Sequence, residues 1–129
     1  IVVSGLGDGD ERGLIDNAMT ALRTLVQETG VGIILVSHLK RPSGDRGHED
    51  GAQTSLSQLR GSHAIAQLSD MVIGLERDQQ GERANITTVR VLKNRFSGET
   101  GVACYVQYNP QTGRLLECNP DFNEVEDEF

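Results

Sequence analysis

Three groups of side chains in this 129-residue chain have the types and spacing to hold an anion. Lys93 and Arg95 alternate in Val91-Leu92-Lys93-Asn94-Arg95-Phe96-Ser97-Gly98, so in extended backbone both point the same way. An ammonium beside a planar guanidinium suits phosphate oxygens, although the same spacing also fits a solvated strand end. His38 directly follows an apolar run that ends at Ser37. The carboxyl ends of strands line the ligand crevice of open α/β sheets, which would set this imidazole beside a phosphate. A satisfied histidine at a strand end is the alternative. The third group is Lys40, Arg41 and Arg46, followed by Leu59-Arg60-Gly61-Ser62 at the start of a helical pattern. A glycine there lets an anion approach the backbone, and helix N-termini favour negative charge; a plain capping turn fits equally well. His48 and His63 lack such placement and read as surface residues.

The elements that must position these groups fall into two halves. Residues 1–4 form a short apolar run that breaks at Gly5, as a buried parallel strand does. Asp10 then suits the N-cap of a long helix whose stripe is Leu14, Ala18, Leu22 and Leu25, widened by Ile15, Met19 and Val26. Gly30 is its expected stop. Residues 31–37 (VGIILVS) read as a second buried strand, giving a β-α-β unit with a parallel sheet. Residues 39–54 are polar, glycine-rich and aperiodic, a long loop of the kind that usually carries function. Ser57 is the expected cap of a second helix carrying Leu59, Ala64, Ile65 and Leu68. Strands are then expected at residues 71–75, 86–92, 102–108 and 115–116, separated by turns at 79–81, 97–99 and 109–113. The expected fold class is therefore α/β: parallel strands with flanking helices, followed by antiparallel hairpins.

Composition narrows the class further. With 36% hydrophobic and 24% charged residues, the chain reads as one globular domain, and no apolar run approaches the ~20 residues that cross a bilayer. Cys104 and Cys118 are too few for a disulfide framework and read as thiols in a reducing cytoplasm. The net charge of −7 argues against nucleic acid at first sight. Five acids and no base lie in the last ten residues, however, which leaves the rest at −2 with a basic loop compatible with DNA. Residues 1–118 are thus expected to form the folded part and residues 119–129 a disordered acidic tail. Opening inside a core strand, the chain reads as a piece of a longer protein. It contains no G-x-x-x-x-G-K-S/T loop to cradle nucleotide phosphates and no acid ending its first strand to hold Mg²⁺.

The motifs together resemble the hexameric helicases of the DnaB class, most closely their T7-type helicase–primases. The resemblance is collinear over nearly the whole chain. It runs from I-V-V-S-G-L through G-D-E-R, I-D-N-x-M-T, S-H-L-K, L-R-G-S-x-A-x-x-Q-L-S-D and L-E-R-x-Q-Q-G to L-K-x-R-F-x-G-x-T-G and Y-N-x-x-T-G. Arg60, Ser62, Gln67 and Asp70 fit the sparser R-x-S-x-x-x-x-Q-x-x-D of the wider class, and Lys93 with Arg95 fits its K-x-R. Gly44 departs from the T7-type pattern, which has a lysine there.

The resemblance implies the C-terminal half of a RecA-like P-loop NTPase core, fuelled by ATP or dTTP with Mg²⁺. Its P-loop, Mg²⁺-binding aspartate and general base would lie upstream, and the chain by itself would be inactive. It also implies a catalytic set of His38, Gln67, Lys93 and Arg95. In that set His38 senses the γ-phosphate, and Arg95 is an arginine finger entering the neighbouring subunit's site with support from Lys93. Arg77 and Tyr108 would hold the base by stacking, and Lys40, Arg46, Arg60 and Gly61 would face single-stranded DNA in a hexameric or heptameric ring. The acidic tail ending in Asp127, Glu128 and Phe129 would contact the replicative DNA polymerase of a phage replisome in the host cytoplasm. No metal ligands are expected in the chain itself. Other readings of the same core are a RecA-like recombination or strand-exchange ATPase, and a non-catalytic fragment that binds DNA or a partner.

Overall fold

The computed structural model describes residues 8–59 and 63–120. A long helix, α1 (Asp8–Thr29), leads into an irregular stretch, a 3-10 turn (Leu56–Gln58) and a short helix, α2 (Ala64–Leu68). Four strands follow: β1 (Met71–Glu76), β2 (Ile86–Asn94), β3 (Gly101–Asn109) and β4 (Arg114–Cys118). They pair in sequence order, and every pairing is antiparallel.

The helix forms where its periodicity placed it, except that it already begins at Asp8, so Asp10 lies inside it rather than capping it. Ile15, Ala18, Met19, Leu22 and Val26 turn inward, and Met19 is buried, as is Ile65 of α2. Leu14 and Leu25, expected in the stripe, lie on its exposed edges. Gly30 stops the helix at φ 72°, a left-handed conformation that glycine adopts without steric cost, while its N–H donates to Val26 O at 2.9 Å.

Two further expectations are corrected. Residues 31–37 join no ladder among the described residues, and Ile34 and Val36 are 97% and 87% exposed. An apolar run becomes a strand only when neighbouring strands accept its backbone hydrogen bonds, and none of the described strands does so. Residues 1–4, the other half of the expected parallel pair, lie outside the described residues. The observed sheet is thus the antiparallel half alone. Ser57 is not a helix cap either: Ser55 precedes the 3-10 turn, its N–H donates to Gln58 Oε1 at 3.0 Å, and Leu59 is extended at ψ 124°.

The hairpins match their sequence signals more closely. Gly98 and Gly113 sit at φ 75° and 71° in the two tight turns, donating to Asn94 O and Asn109 O at 2.8 Å each. In β1 the inward positions are Val72, Gly74 and Glu76, so a buried carboxylate stands where an apolar residue would be ordinary. Thr54 explains it: Glu76 Oε2 accepts from Thr54 N and Oγ1 at 2.9 and 2.8 Å and from Arg90 Nε at 2.8 Å. Thr54 presses so closely on Gly74 that a Cβ at position 74 would overlap its hydroxyl. The end of the long loop is thereby anchored on the sheet.

Candidate functional site

Lys93 and Arg95 stand at the end of β2 against α2. Lys93 Nζ donates to Ala66 O and Gln67 O at 2.6 and 3.1 Å, supplying the cation that the last turn of this short helix lacks. Arg95 Nη1 pairs with Asp70 Oδ1 at 2.8 Å, and its Nη2 lies 3.5 Å from Gln67 O. Asp70 also receives Arg23 of α1, whose Nη1 reaches both carboxylate oxygens at 3.0 and 2.9 Å. Gln67, Asp70, Lys93 and Arg95 therefore converge, with two guanidinium groups on the Asp70 carboxylate and the Lys93 ammonium on the backbone of Gln67.

Arg23 was not singled out by the sequence reading. Its signal was available: it lies four residues after Met19 and three before Val26, so a charge sits on the buried face of the helix.

Arg77 and Tyr108 lie at the other end of the sheet. Arg77 directly follows β1 and is exposed; Tyr108, near the end of β3, is half-exposed and donates its N–H to Asn85 O at 2.8 Å. Tyr108 lines an open groove of about 340 Å³ with Asn85, Gln107, Pro110 and Leu116. Between this end and Arg95 runs the length of β2, nine residues, or roughly 27 Å at ~3.4 Å per residue.

The basic loop is closed rather than open. Leu39 bridges Leu59, and Lys40 N–H donates to Gln58 O at 2.7 Å, which sets the His38–Lys40 segment beside the chain leading to Arg60. Arg60 and Gly61 themselves lie outside the described residues, as do Asp127, Glu128 and Phe129. His48, read as a plain surface residue, ties the neck: its Nε2 is 2.9 Å from Lys40 O. Arg46 Nη2 donates to Asp50 O at 2.7 Å, and Gly47 N–H to Asp50 Oδ2 at 3.1 Å. Asp50 bridges Asp78, and Gln79 N–H donates to Glu49 O at 2.9 Å. The loop that carries Arg46 is thus fastened to the turn that follows Arg77. At the tip Gly44 has φ 137°, a backbone conformation that disfavours the lysine of the T7-type pattern.

His38 is exposed, and its backbone carbonyl accepts from Ser37 Oγ at 3.4 Å. It is not part of the Gln67–Lys93–Arg95 cluster. Electrostatically the best-defined carboxylate is Glu76. Burial pushes its pKa up, but the Arg90 guanidinium and the two Thr54 donors outweigh burial and hold it below its ordinary value. The bond to Glu76 correspondingly raises Arg90. Cys104 and Cys118 are free, half-buried thiols. Among the described residues no three His, Cys, Asp or Glu side chains converge as a metal site. No described helix is long and apolar enough to cross a membrane.

Comparison with known proteins sets this geometry in context. The chain is 49% identical over 115 residues to the DNA helicase/primase of Enterobacteria phage T3, covering 89% of this chain and 20% of that protein. It spans, then, about a fifth of the length of this relative. A solved structure of an ATPase domain is 27% identical over 52% of this chain and 24% of its own, with a TM-score of 0.45, too slight an overlap to bear on the fold. The family model described as the DnaB-like helicase C terminal domain matches residues 7–117, and the chain belongs to that family.

Proposed function

We propose that residues 1–118 are the C-terminal part of the RecA-like motor domain of a ring-forming replicative DNA helicase, driven by ATP or dTTP with Mg²⁺ along single-stranded DNA. Residues 119–129 are read as its acidic tail. The observation that carries this reading is the separation of two candidate nucleotide contacts. Arg77 and Tyr108, suited to gripping a base by stacking, stand at one end of the sheet, and Lys93 with Arg95 at the other. A backbone span of roughly 27 Å favours a separate nucleotide at each end, and Arg95 is read as serving the pocket of a neighbouring copy. Such a division of labour makes turnover depend on a closed hexameric or heptameric ring. The apolar surface of Ile34, Val36, Ile73 and Leu75 fits this reading, since a complete RecA-like core would cover it.

Within the reading, this chain's residues have distinct tasks. Arg95 offers its guanidinium to the neighbour's terminal phosphate, where charge develops as the phosphoryl group leaves. Lys93 and Gln67 hold the strand end and α2 together around it. His38 faces the phosphate of its own subunit and stands two residues from Lys40 at the neck of the basic loop. A change at His38 is thereby passed to Lys40, Arg46, Arg60 and Gly61, which face DNA phosphates. Mg²⁺, which neutralises the phosphates when bound, is held by residues outside those described. The tail, through Asp127, Glu128 and Phe129, docks the replicative polymerase in the host cytoplasm.

The test is single-stranded-DNA-stimulated hydrolysis and unwinding by a full-length protein carrying the whole family domain. His38→Ala is expected to lower DNA-stimulated hydrolysis and unwinding; unwinding at the unaltered rate would remove His38 from the coupling. Closed rings in electron micrographs support the helicase, whereas extended filaments would favour strand exchange. Deleting residues 124–129 is expected to weaken polymerase association and spare hydrolysis; loss of both assigns the tail a structural role.

A further inference from the structure

Arg95 extends from the strand just past Asn94, the last β2 residue paired to β1, where the ladder no longer limits its side chain. A long side chain in that position has many rotamers, and a finger that must reach another molecule needs one of them. Asp70 supplies the restriction twice: its backbone O accepts from Arg95 N at 2.9 Å, and its Oδ1 takes Arg95 Nη1 at 2.8 Å. The carboxylate is itself fixed by Arg23, which bonds both of its oxygens. Only one terminal nitrogen of Arg95 is used by Asp70, and the side chain remains 41% exposed, so much of its donor fork faces outward. With Arg23 and Arg95 on one carboxylate and Lys93 on the neighbouring Gln67 carbonyl, the cluster keeps its attraction for an anion.

We infer that Asp70, clamped by Arg23, is a positioning carboxylate that presets Arg95 for the phosphate of the neighbouring copy. This rests on the reading of Arg95 given above. Neither Asp70 nor Arg23 touches the nucleotide; each acts through the orientation of the guanidinium. The competing arrangement is a parked finger, in which Asp70 must let go of Arg95 before phosphate binds.

The experiment measures kcat and KM of DNA-stimulated hydrolysis in the full-length protein for Asp70→Asn, Arg23→Gln and Arg23→Lys. Asp70→Asn and Arg23→Gln are also placed on an Arg95→Ala background, with ring assembly and Tm followed throughout. Asp70→Asn is expected to lower kcat roughly 10–100-fold, the cost of a misplaced catalytic group, with KM near that of the unaltered protein and rings intact. Arg23→Gln should lower kcat less, and Arg23→Lys should recover part of that loss. On the Arg95→Ala background neither Asp70→Asn nor Arg23→Gln should cost anything more. A raised kcat in Asp70→Asn identifies a parked finger and overturns the inference. An unchanged kcat, or an equal further loss without Arg95, overturns it as well. If Asp70→Asn fails to fold, the Arg23 pair carries the same decision. Should Arg95→Ala itself leave kcat intact, the reading of Arg95 falls first, and that outcome is distinct from a failure of Asp70 alone.

Discussion

Arg95→Ala in a full-length protein is expected to lower kcat for nucleotide hydrolysis by 10³–10⁵, or roughly 4–7 kcal/mol of barrier, the usual contribution of an arginine finger. The size follows from the chemistry. A guanidinium aimed at a leaving phosphoryl group acts on charge that exists only in the transition state, so its loss appears in kcat rather than in binding. Arg95→Lys should recover little, because an ammonium cannot reproduce the planar fork. The sheet-length separation between Arg95 and Tyr108 adds a stronger requirement, namely that the defect be felt by the neighbour. In rings mixed from intact and Arg95→Ala subunits, hydrolysis should fall with the altered fraction in steps set by adjacent pairs. A strictly monomeric preparation hydrolysing as fast as the ring would end the proposal.

Glu76→Ala should cost about 3–5 kcal/mol of folding stability, because it leaves the Arg90 guanidinium in a largely buried place without its anion. Against a typical net stability of ~5–15 kcal/mol, that is a large fraction. Glu76→Gln, which keeps acceptors for Thr54 but not the charge, should cost less. The pH dependence has a definite sign. Glu76 titrates lower in the folded than in the unfolded protein, so its contribution is complete above the ordinary carboxylate value of 4.5. It is lost as pH falls below that value and through the depressed one. The stability gap between the intact protein and Glu76→Gln, followed by denaturant titration, should therefore be widest near neutrality and close in acid. A gap that widens in acid, or a Glu76→Ala cost under about 1 kcal/mol, would mean the carboxylate is not held as its bonds to Thr54 and Arg90 indicate.

Much of this arrangement was legible in short-range patterns. Gly30, Gly98 and Gly113 each marked a turn whose positive φ they supply, and all four strands came out within two residues of their expected limits. Lys93 and Arg95 could be paired because extended backbone puts alternate residues on one side. What local pattern could not give was partnership across sequence distance. Glu76, like Asp70, was a motif letter until its partners came to it: Thr54 and Arg90 to Glu76, and Arg23, from 47 residues away, to Asp70. Residues 31–37 show the converse: their composition says strand, but composition supplies no neighbour. His48 was passed over because its task, closing the neck of a loop on Lys40 O, depends on a backbone atom eight residues away.

That closed neck limits how far the basic loop travels. With Lys40 fastened to Gln58 and Gly47 to Asp50, the backbone arc between the anchors is residues 41–46, its far end steadied by the Arg46 side chain on Asp50 O. Six residues of chain give a contour of about 20 Å, hence an excursion of at most ~10 Å from the two anchors. Under the proposed function, any longer stroke along DNA would have to come from the whole domain shifting as a rigid piece, with the arc riding on it like a pawl on a wheel.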